Sequence, residues 1–500
     1  MTSLLLGIDI GTTATKAVLI DEKGKVLSQG RAEHPISHLK DNWVEQNPLD
    51  WWQSLTVATN IALKDLNGRS IAGVAVSAQA PTLIAVDAMG IPLRPAMIWM
   101  DRRADKEAVD LLQKVPNIFE LTGNRSDPFY LASKISWFIK NENELYKNTK
   151  YFLQITGFVN FKLTGKFGLD RAHASLLQLL NTNQEGWNKE VCEAVGVDVS
   201  KFPEIQNCDA LLGEVTPAAQ TTTGIPSGTP VFFGSVDGAS AALESGAIDP
   251  GTVAEMTGTS TVLIIPTDGN IRCKSFISMS HSVLGRHLQL GAMVSSGASI
   301  QWFQEKILGN SISIEDLVSG AKEIEPGSGG VIFLPYMMGE RAPIWNSNAR
   351  GVFFGLSLTT TPFSLFRAIL EGTSFALAHN VEVAREAGLV IEEIRSIGGG
   401  SKNMLWNQIK ADIVGVPILT LAESAGAPIG NAFIAGYGAG IITDIRRAIE
   451  KSIIIDKRFE PNPQTHSFYT ARYKEFRNLY ESLKDGFVNS ALTASFDGVR

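Results

Sequence analysis

Asp237, in VFFGSVDGASAALESGA, and Asp9, in LLLGIDIGTTATKAVLI, each follow an apolar run and have glycine within two positions, so a ligand can approach the backbone near a carboxylate. A carboxylate among small and apolar residues has to be hydrogen-bonded, bound to a cation or working as a base, because burying it unsatisfied is costly. For Asp9 the choices are a cation ligand, directly or through water, and a cap for its own turn. For Asp237 they are a proton acceptor, a cation ligand and the N-cap of the helix that GASAALESGA would form. Read together, the two acids suggest a metal-nucleotide site with its own proton acceptor. Phosphoryl transfer asks a protein for little more: positioned substrates, neutralised charge and somewhere for a hydroxyl proton to go.

Phosphate needs a cradle, and neither GxxxxGK[ST] nor GxGxxG occurs in the chain. The small residues Gly11, Thr12 and Thr13 lie instead between two apolar runs, Leu4 to Ile8 and Lys16 to Ile20, which reads as a hairpin followed by a second turn at Asp21 to Gly24. Their backbone and hydroxyl groups can approach phosphate, with Lys16 either adding charge or simply solvated at a strand edge. The same pattern returns half a chain later in TVAEMTGTSTVLIIP, where Thr257, Gly258, Thr259 and Ser260 form the turn. Such recurrence suggests two domains of one kind, with a boundary near Asp249-Pro250-Gly251. Gly398, Gly399 and Gly400, with Asn403 and Gln408 beyond, are either an ordinary turn or a place for a purine to lie on the backbone while an amide reads its edge. Trp99, Asp101, Arg102 and Arg103 in MIWMDRRA would line a polyol pocket or form surface ion pairs.

The elements that must hold these residues are those of a mixed α/β protein. IAGVAVSAQAPTLIAVD alternates like paired strands, and PLDWWQSLTVATNIALKDL carries apolar residues at helical spacing. TTPFSLFRAILEGTSFALAHNVEVAREAG reads as a long buried helix stopped by Gly388, then strand, glycine turn, helix and strand through Leu421, with a charged helix from Thr470 to Leu483. Five hundred residues exceed what one core supports, so two domains of roughly 200–250 residues are expected, with a ligand cleft between them. A net charge of −7 argues against nucleic acid or an anionic membrane as partner. Three cysteines without CxxC spacing indicate neither disulfides nor zinc and suit a reducing cytoplasm; seven histidines also lack metal spacing, although His281 and His287 can meet in a fold. The apolar start has no basic segment before it and is interrupted by Asp9, unlike a signal peptide, and no stretch reaches the ~18 apolar residues of a membrane helix.

With these residues assembled, the chain resembles the FGGY carbohydrate kinases, and among them the xylulokinases. The resemblance runs through LLLGIDIGTTATKAVLI, WVEQNPLDWW, LRPAMIWMDRRA, ASKISWF, GSVDGASAALESGA, EMTGTSTVL, SSGASIQWF, FLPYMMGERAPIW, ARGVFFGLSL and SIGGGSKNMLWNQIKADIVGVPI, in family order. It implies a two-domain actin-like ATPase fold of the ribonuclease H-like α/β class, with an N-terminal sugar-binding domain over 1–248, a C-terminal nucleotide-binding domain over 249–500 and a nucleotide/sugar cleft between them. It further implies ATP-dependent phosphorylation of a sugar hydroxyl, a ketopentose such as xylulose first, in a cytoplasmic enzyme, with a homodimer as the family's habit. Asp237 would be the catalytic base and Asp9 part of the Mg-ATP site. The Thr257–Ser260 loop and Gly297 would hold phosphates, Gly399, Gly400 and Asn403 would line the adenosine pocket, and the sugar would lie near Gln79, Trp99, Asp101 and Asp237. Two departures fall on the sugar side: Ala80 and Pro81 follow Gln79 where xylulokinases have Met-His, and Gly238 follows Asp237 where they have asparagine. Another ketose, gluconate or a polyol such as erythritol or glycerol therefore stands as an alternative acceptor. A non-catalytic actin-like scaffold is the distant one, since it would be expected to lack the acids or the loops present here.

Overall fold

A threonine-rich turn between two apolar runs folds the start of the chain into three antiparallel strands, β1 (Leu4–Ile10), β2 (Ala14–Asp21) and β3 (Val26–Glu33). The computed structural model describes residues 3–493 except positions 41, 67, 184–185, 270 and 423–425, and side chains as far as residue 488. Helix α1 (Pro48–Leu63), opened by Pro48 and capped by the Asn47 side chain, crosses over so that β4 (Ile71–Ala78) lies parallel to β1. β5 (Leu211–Glu214), β6 (Pro230–Phe232) and β7 (Ser235–Val236) complete a seven-stranded sheet of order β5-β6-β4-β1-β2-β3, with β7 also on β4. The alternation of IAGVAVSAQAPTLIAVD is not a paired hairpin: Ile84–Val86 pairs with Tyr151–Leu153 instead. β4 is buried along almost its whole length, as a central parallel strand covered on both faces should be.

The second half repeats this order of pairing. β8 (Gly251–Thr257), β9 (Thr261–Thr267), β10 (Ile277–Ser280), β11 (His287–Met293), β12 (Ile391–Ile397), β13 (Ile418–Leu421) and β14 (Ile455–Phe459) form the sheet β10-β11-β9-β8-β12-β13-β14. Its strands β11-β9-β8-β12-β13 are joined antiparallel, antiparallel, parallel, parallel, as are β3-β2-β1-β4-β6. The likeness of the two small-residue turns is thus a likeness of topology.

After the last parallel strand of each sheet comes a helix: α3 (Asp237–Ser245) after β7 and, further on, α7 (Ala427–Gly438) after β13. The two pack on each other between the sheets, in one apolar cluster with Leu5 and Ala75 of the first sheet and Ala254, Ile264 and Ile397 of the second. α7 rides so closely on β1 that a Cβ on Gly7 would lie 1.7 Å from the Pro428 carbonyl oxygen. Phe433 of α7 is fully buried there, worth about 1.5–3 kcal/mol of apolar burial. Outer helices close both sides: α1 on the first sheet, and α5 (Pro362–Glu386), α6 (Met404–Val414) and α8 (Pro463–Thr493) on the second. α5 is capped by Thr361, with Gly388 at φ +86° just past its end.

Candidate active site

The register of β4 brings the two acids together. Asp9 on β1 is opposite Ser77 on β4, and Ser77 is opposite Ser235 on β7, two residues before Asp237. Two strand spacings of about 4.8 Å therefore separate their backbones laterally. Ser77 Oγ donates to Asp9 Oδ1 at 2.6 Å, and the other Asp9 oxygen accepts no hydrogen bond among the described residues. Asp237 is not the N-cap: Val236 holds that position without a side-chain bond, and Asp237 is the first helical residue, its Oδ1 accepting the Gly238 N–H at 2.6 Å. A negative charge there is favoured by the α3 dipole and is crowded by nothing larger than glycine, alanine and serine in that turn.

Burial, then the nearby charge of Asp9, pushes the Asp237 carboxyl up to about 7, against the Gly238 N–H and the charge of His173. Burial likewise pushes Asp9 up to about 6, against the Ser77 bond and the charge of Lys16, its partner across the hairpin. A carboxylate titrating near neutrality is suited to taking a proton. His173, which the sequence did not signal, is buried on α2 (Arg171–Ser175), has its Nδ1 2.7 Å from Asp170 Oδ2 and acts electrostatically on Asp237.

The small-residue turns are held from behind. In the first, Gly11 N–H donates to Ala14 O at 3.0 Å, Gln46 Nε2 donates to Thr12 O at 2.9 Å and His34 Nε2 lies 3.0 Å from Gly11 O, leaving Thr13 exposed. Lys16 is exposed beside them. In the second, Gly258 N–H donates to Ser260 O at 2.8 Å and Ala298 N–H to Thr259 O at 2.9 Å. A Cβ on Gly297, at the start of α4 (Ser296–Trp302), would be 2.2 Å from Gly258 O, and one on Gly400 would be 2.3 Å from Thr257 Cγ2. The structure therefore gathers the 257–260 turn, Gly297 and the triple glycine around Thr257, while among the described residues nothing lies within 4 Å of where a Cβ on Gly258 or Gly399 would stand. Beneath Thr257, the buried Glu255 carboxylate takes Lys410 Nζ at 2.6 Å, Thr257 Oγ1 at 2.7 Å and Ser396 Oγ at 2.8 Å. Asn403 caps α6 by accepting the Trp406 N–H at 3.1 Å. Gln408 does not join it, because its amide is spent on Asp412 and Glu460 O, both at 2.9 Å.

Trp99 Nε1 donates to Thr12 Oγ1 at 3.2 Å, which fixes the indole beside the first turn. Gln79 is buried next to Ile10, its Nε2 donating to Gln46 Oε1 at 2.6 Å and its own Oε1 left without a partner among the described residues. Asp101 is a correction to the sequence reading. Its carboxylate is fully buried and committed to Arg103 at 2.7 Å and to the Val44 N–H at 2.7 Å, so it shapes the wall from behind and offers no free oxygen to a ligand. Arg103 in turn reaches Glu45 at 2.6 Å and stacks on Trp43, its guanidinium 3.9 Å from the ring centre. Arg102 forms looser ion pairs with Asp127 at 3.3 Å and Asp105 at 3.7 Å. Arg341, which carried no signal in the sequence, lies over Trp99 at 5.3 Å, and Arg125 lies over Trp345 at 4.5 Å. An apolar hollow lined by Leu49, Met89, Ile91, Phe158 and Phe161 shares no residue with either acid's surroundings. Among the described residues no group of three or more His, Cys, Asp or Glu stands together for a metal. Asp9, with one uncommitted oxygen, fits a hard cation that takes one carboxylate and fills its shell with water and phosphate.

Two sheets of repeated topology around a shared helix pair, with one acid on the first hairpin and one heading a central helix, define an actin-like α/β fold of the ribonuclease H-like class. The FGGY family of carbohydrate kinases matches the chain with its N-terminal domain over residues 4–244 and its C-terminal domain over 253–439. The chain belongs to that family, and is a carbohydrate kinase. It is 29% identical to the xylulose kinase of Bacillus subtilis over 493 residues, 98% of each chain. It superposes on the xylulose kinase of Lactobacillus acidophilus with a TM-score of 0.91 at 25% identity, covering 97% of this chain and 99% of that one. The gluconate kinase of the same organism gives 0.92 at 25% identity, covering 98% and 100%.

Proposed function

We propose that the chain transfers the γ-phosphoryl group of ATP to a hydroxyl of a small sugar, a ketopentose such as xylulose first, with Asp237 as general base. The observation that carries this is the placing of Asp237 at the head of α3 beside Asp9, with its carboxyl pushed up to about 7. The sugar oxygen attacks the γ-phosphorus in line, its proton passes to Asp237, and the bond from that phosphorus to the bridging oxygen breaks to release ADP. Asp9 would hold Mg²⁺, which when bound neutralises charge on the phosphates. Gly11, Thr12, Thr13 and Lys16 from one side, and Thr257, Gly258, Thr259, Ser260 and Gly297 from the other, would cradle the phosphates. Gly399, Gly400 and Asn403 would line the adenosine, and Gln79 and Trp99 the sugar, with Asp237. In this reading the sugar-binding part is 1–248 and the nucleotide-binding part 249–500. No helix among the described residues is long and apolar enough to cross a membrane, and a cytoplasmic enzyme, assembled as a homodimer, suits a small-molecule substrate.

A second acceptor class is favoured by one observation. Arg341 lies over Trp99, and Arg125 over Trp345 four residues beyond Arg341, both without a carboxylate partner among the described residues, and unpaired guanidinium groups suit an aldonate such as gluconate. A coupled ADP-release screen over ketoses, aldonates and polyols separates the two acceptors. Asp237→Ala should abolish sugar-dependent ADP release while ATP still binds; full release by that variant removes Asp237 from its role.

A further inference from the structure

α7, contributed by the second half of the chain, places one amide against both halves of the acidic pair. Asn431 is fully buried; its Nδ2 lies 2.7 Å from Ile8 O and 2.7 Å from Ser77 Oγ, and its Oδ1 lies 2.7 Å from Ser240 Oγ. Ser77 then donates to Asp9 at 2.6 Å. The polarity of this chain is forced at both ends. Ile8 O is a carbonyl and can only accept, so the nitrogen of Asn431 must face β1 and its oxygen must face Ser240. That nitrogen also donates to Ser77 Oγ, which leaves the single Ser77 hydrogen for the Asp9 carboxylate, itself only an acceptor when ionised. Ser240 is in the first turn of α3, one turn from Asp237, and Ile8 precedes Asp9 on β1. The same amide thus ties the strand of one acid to the helix of the other.

We propose that Asn431 is a positioning residue for the cation site: by setting the direction of the Ser77 hydroxyl and pinning β1 to α3, it aims Asp9 so that the oxygen free of Ser77 faces the cation. This rests on the kinase reading above. Groups that orient a metal-ligating carboxylate commonly matter to metal affinity by 10–100-fold when removed. Asn431→Asp keeps the shape and the acceptor for Ser240 but, when ionised, offers no donor to Ile8 O or Ser77 and competes with Asp9 for the Ser77 hydrogen. Ser77→Ala removes the last link while leaving Asn431 in place, and covers the case in which the first variant does not fold.

The test is calorimetric binding of ADP to the full chain with excess Mg²⁺ and with EDTA. Both variants should lose roughly tenfold or more of the affinity gained from Mg²⁺, with Mg-free ADP binding within about twofold of wild type. A structural clamp alone would change melting temperature without touching that difference. The proposal is overturned if folded Ser77→Ala keeps the full Mg²⁺-dependent gain, or if Asn431→Asp weakens ADP binding equally with and without Mg²⁺. Wild-type protein that binds ADP under neither condition overturns the kinase reading, and this inference with it.

Discussion

Asp237→Asn keeps the size and the Gly238 contact of the side chain and removes its charge and its ability to take a proton. Two consequences of opposite sign follow from one number. The carboxyl is raised from 3.8 to about 7, roughly three pH units at about 1.4 kcal/mol each, so holding it ionised in the fold costs at most about 4 kcal/mol. The side chain is only partly buried, and solvent at the open site brings the expected cost to about 1–2 kcal/mol. Because the folded value is raised, that cost is fully present above pH 8, shrinks as pH falls through 7 and is gone below about 4. Asp237→Asn should therefore melt a degree or two above wild type at pH 8, with the gain fading by pH 5. Losing a positioned base should meanwhile lower kcat by about 10²–10⁴-fold with the KM for ATP little changed. Scanning calorimetry at the two pH values and coupled ADP release read these effects together. Wild-type turnover by the variant, or an equal melting shift at both pH values, would refute the reasoning.

Other expectations test the supports of the site. Lys410→Met leaves the Glu255 carboxylate buried without its cation, so it should destabilise the protein by about 3–5 kcal/mol, and adding Glu255→Gln should recover part of the loss in a denaturant titration. Gly297→Ala places a Cβ 2.2 Å from Gly258 O, so the turn must move; the KM for ATP should rise by about tenfold or more while the sugar KM stays within a few-fold. Asp101→Asn weakens the anchor of buried Arg103 and should lower the melting temperature by several degrees without altering the choice of sugar in the ADP-release screen. Arg341→Gln should cost an aldonate substrate about 2 kcal/mol or more of kcat/KM and a neutral ketose much less.

Much of the fold was legible because its local patterns agree with its tertiary role. The two threonine and glycine turns became hairpins, the PLDWWQSL segment became α1 and the TTPFSLF segment became α5. Strand partners were not legible: β4 looked like half of a hairpin because alternation within a segment says nothing about which strand lies beside it. The two acids proposed to carry the chemistry stood out because a carboxylate among small residues is costly unless used. Their supporting shell did not. Ser77, Asn431, Glu255 and Lys410 come from strands and helices up to 354 positions apart, and only folding shows that they touch. Asp101 misled for the same reason, since a motif that reads as a pocket wall was bonded inward to its own neighbour Arg103. Arg125 and Arg341 carried no signal because an arginine in a loop is ordinarily solvated or paired.

The most direct measurement is a crystal structure of the full chain with Mg²⁺, a non-hydrolysable ATP analogue and whichever compound most stimulates ADP release. A substrate hydroxyl within hydrogen-bonding reach of Asp237 and in line with the terminal phosphorus, with the cation on the Ser77-free side of Asp9, is the expected arrangement. Terminal phosphate bound away from the turn at Gly11–Thr13 and the turn at Thr257–Ser260, or a sugar with no hydroxyl near Asp237, would contradict it.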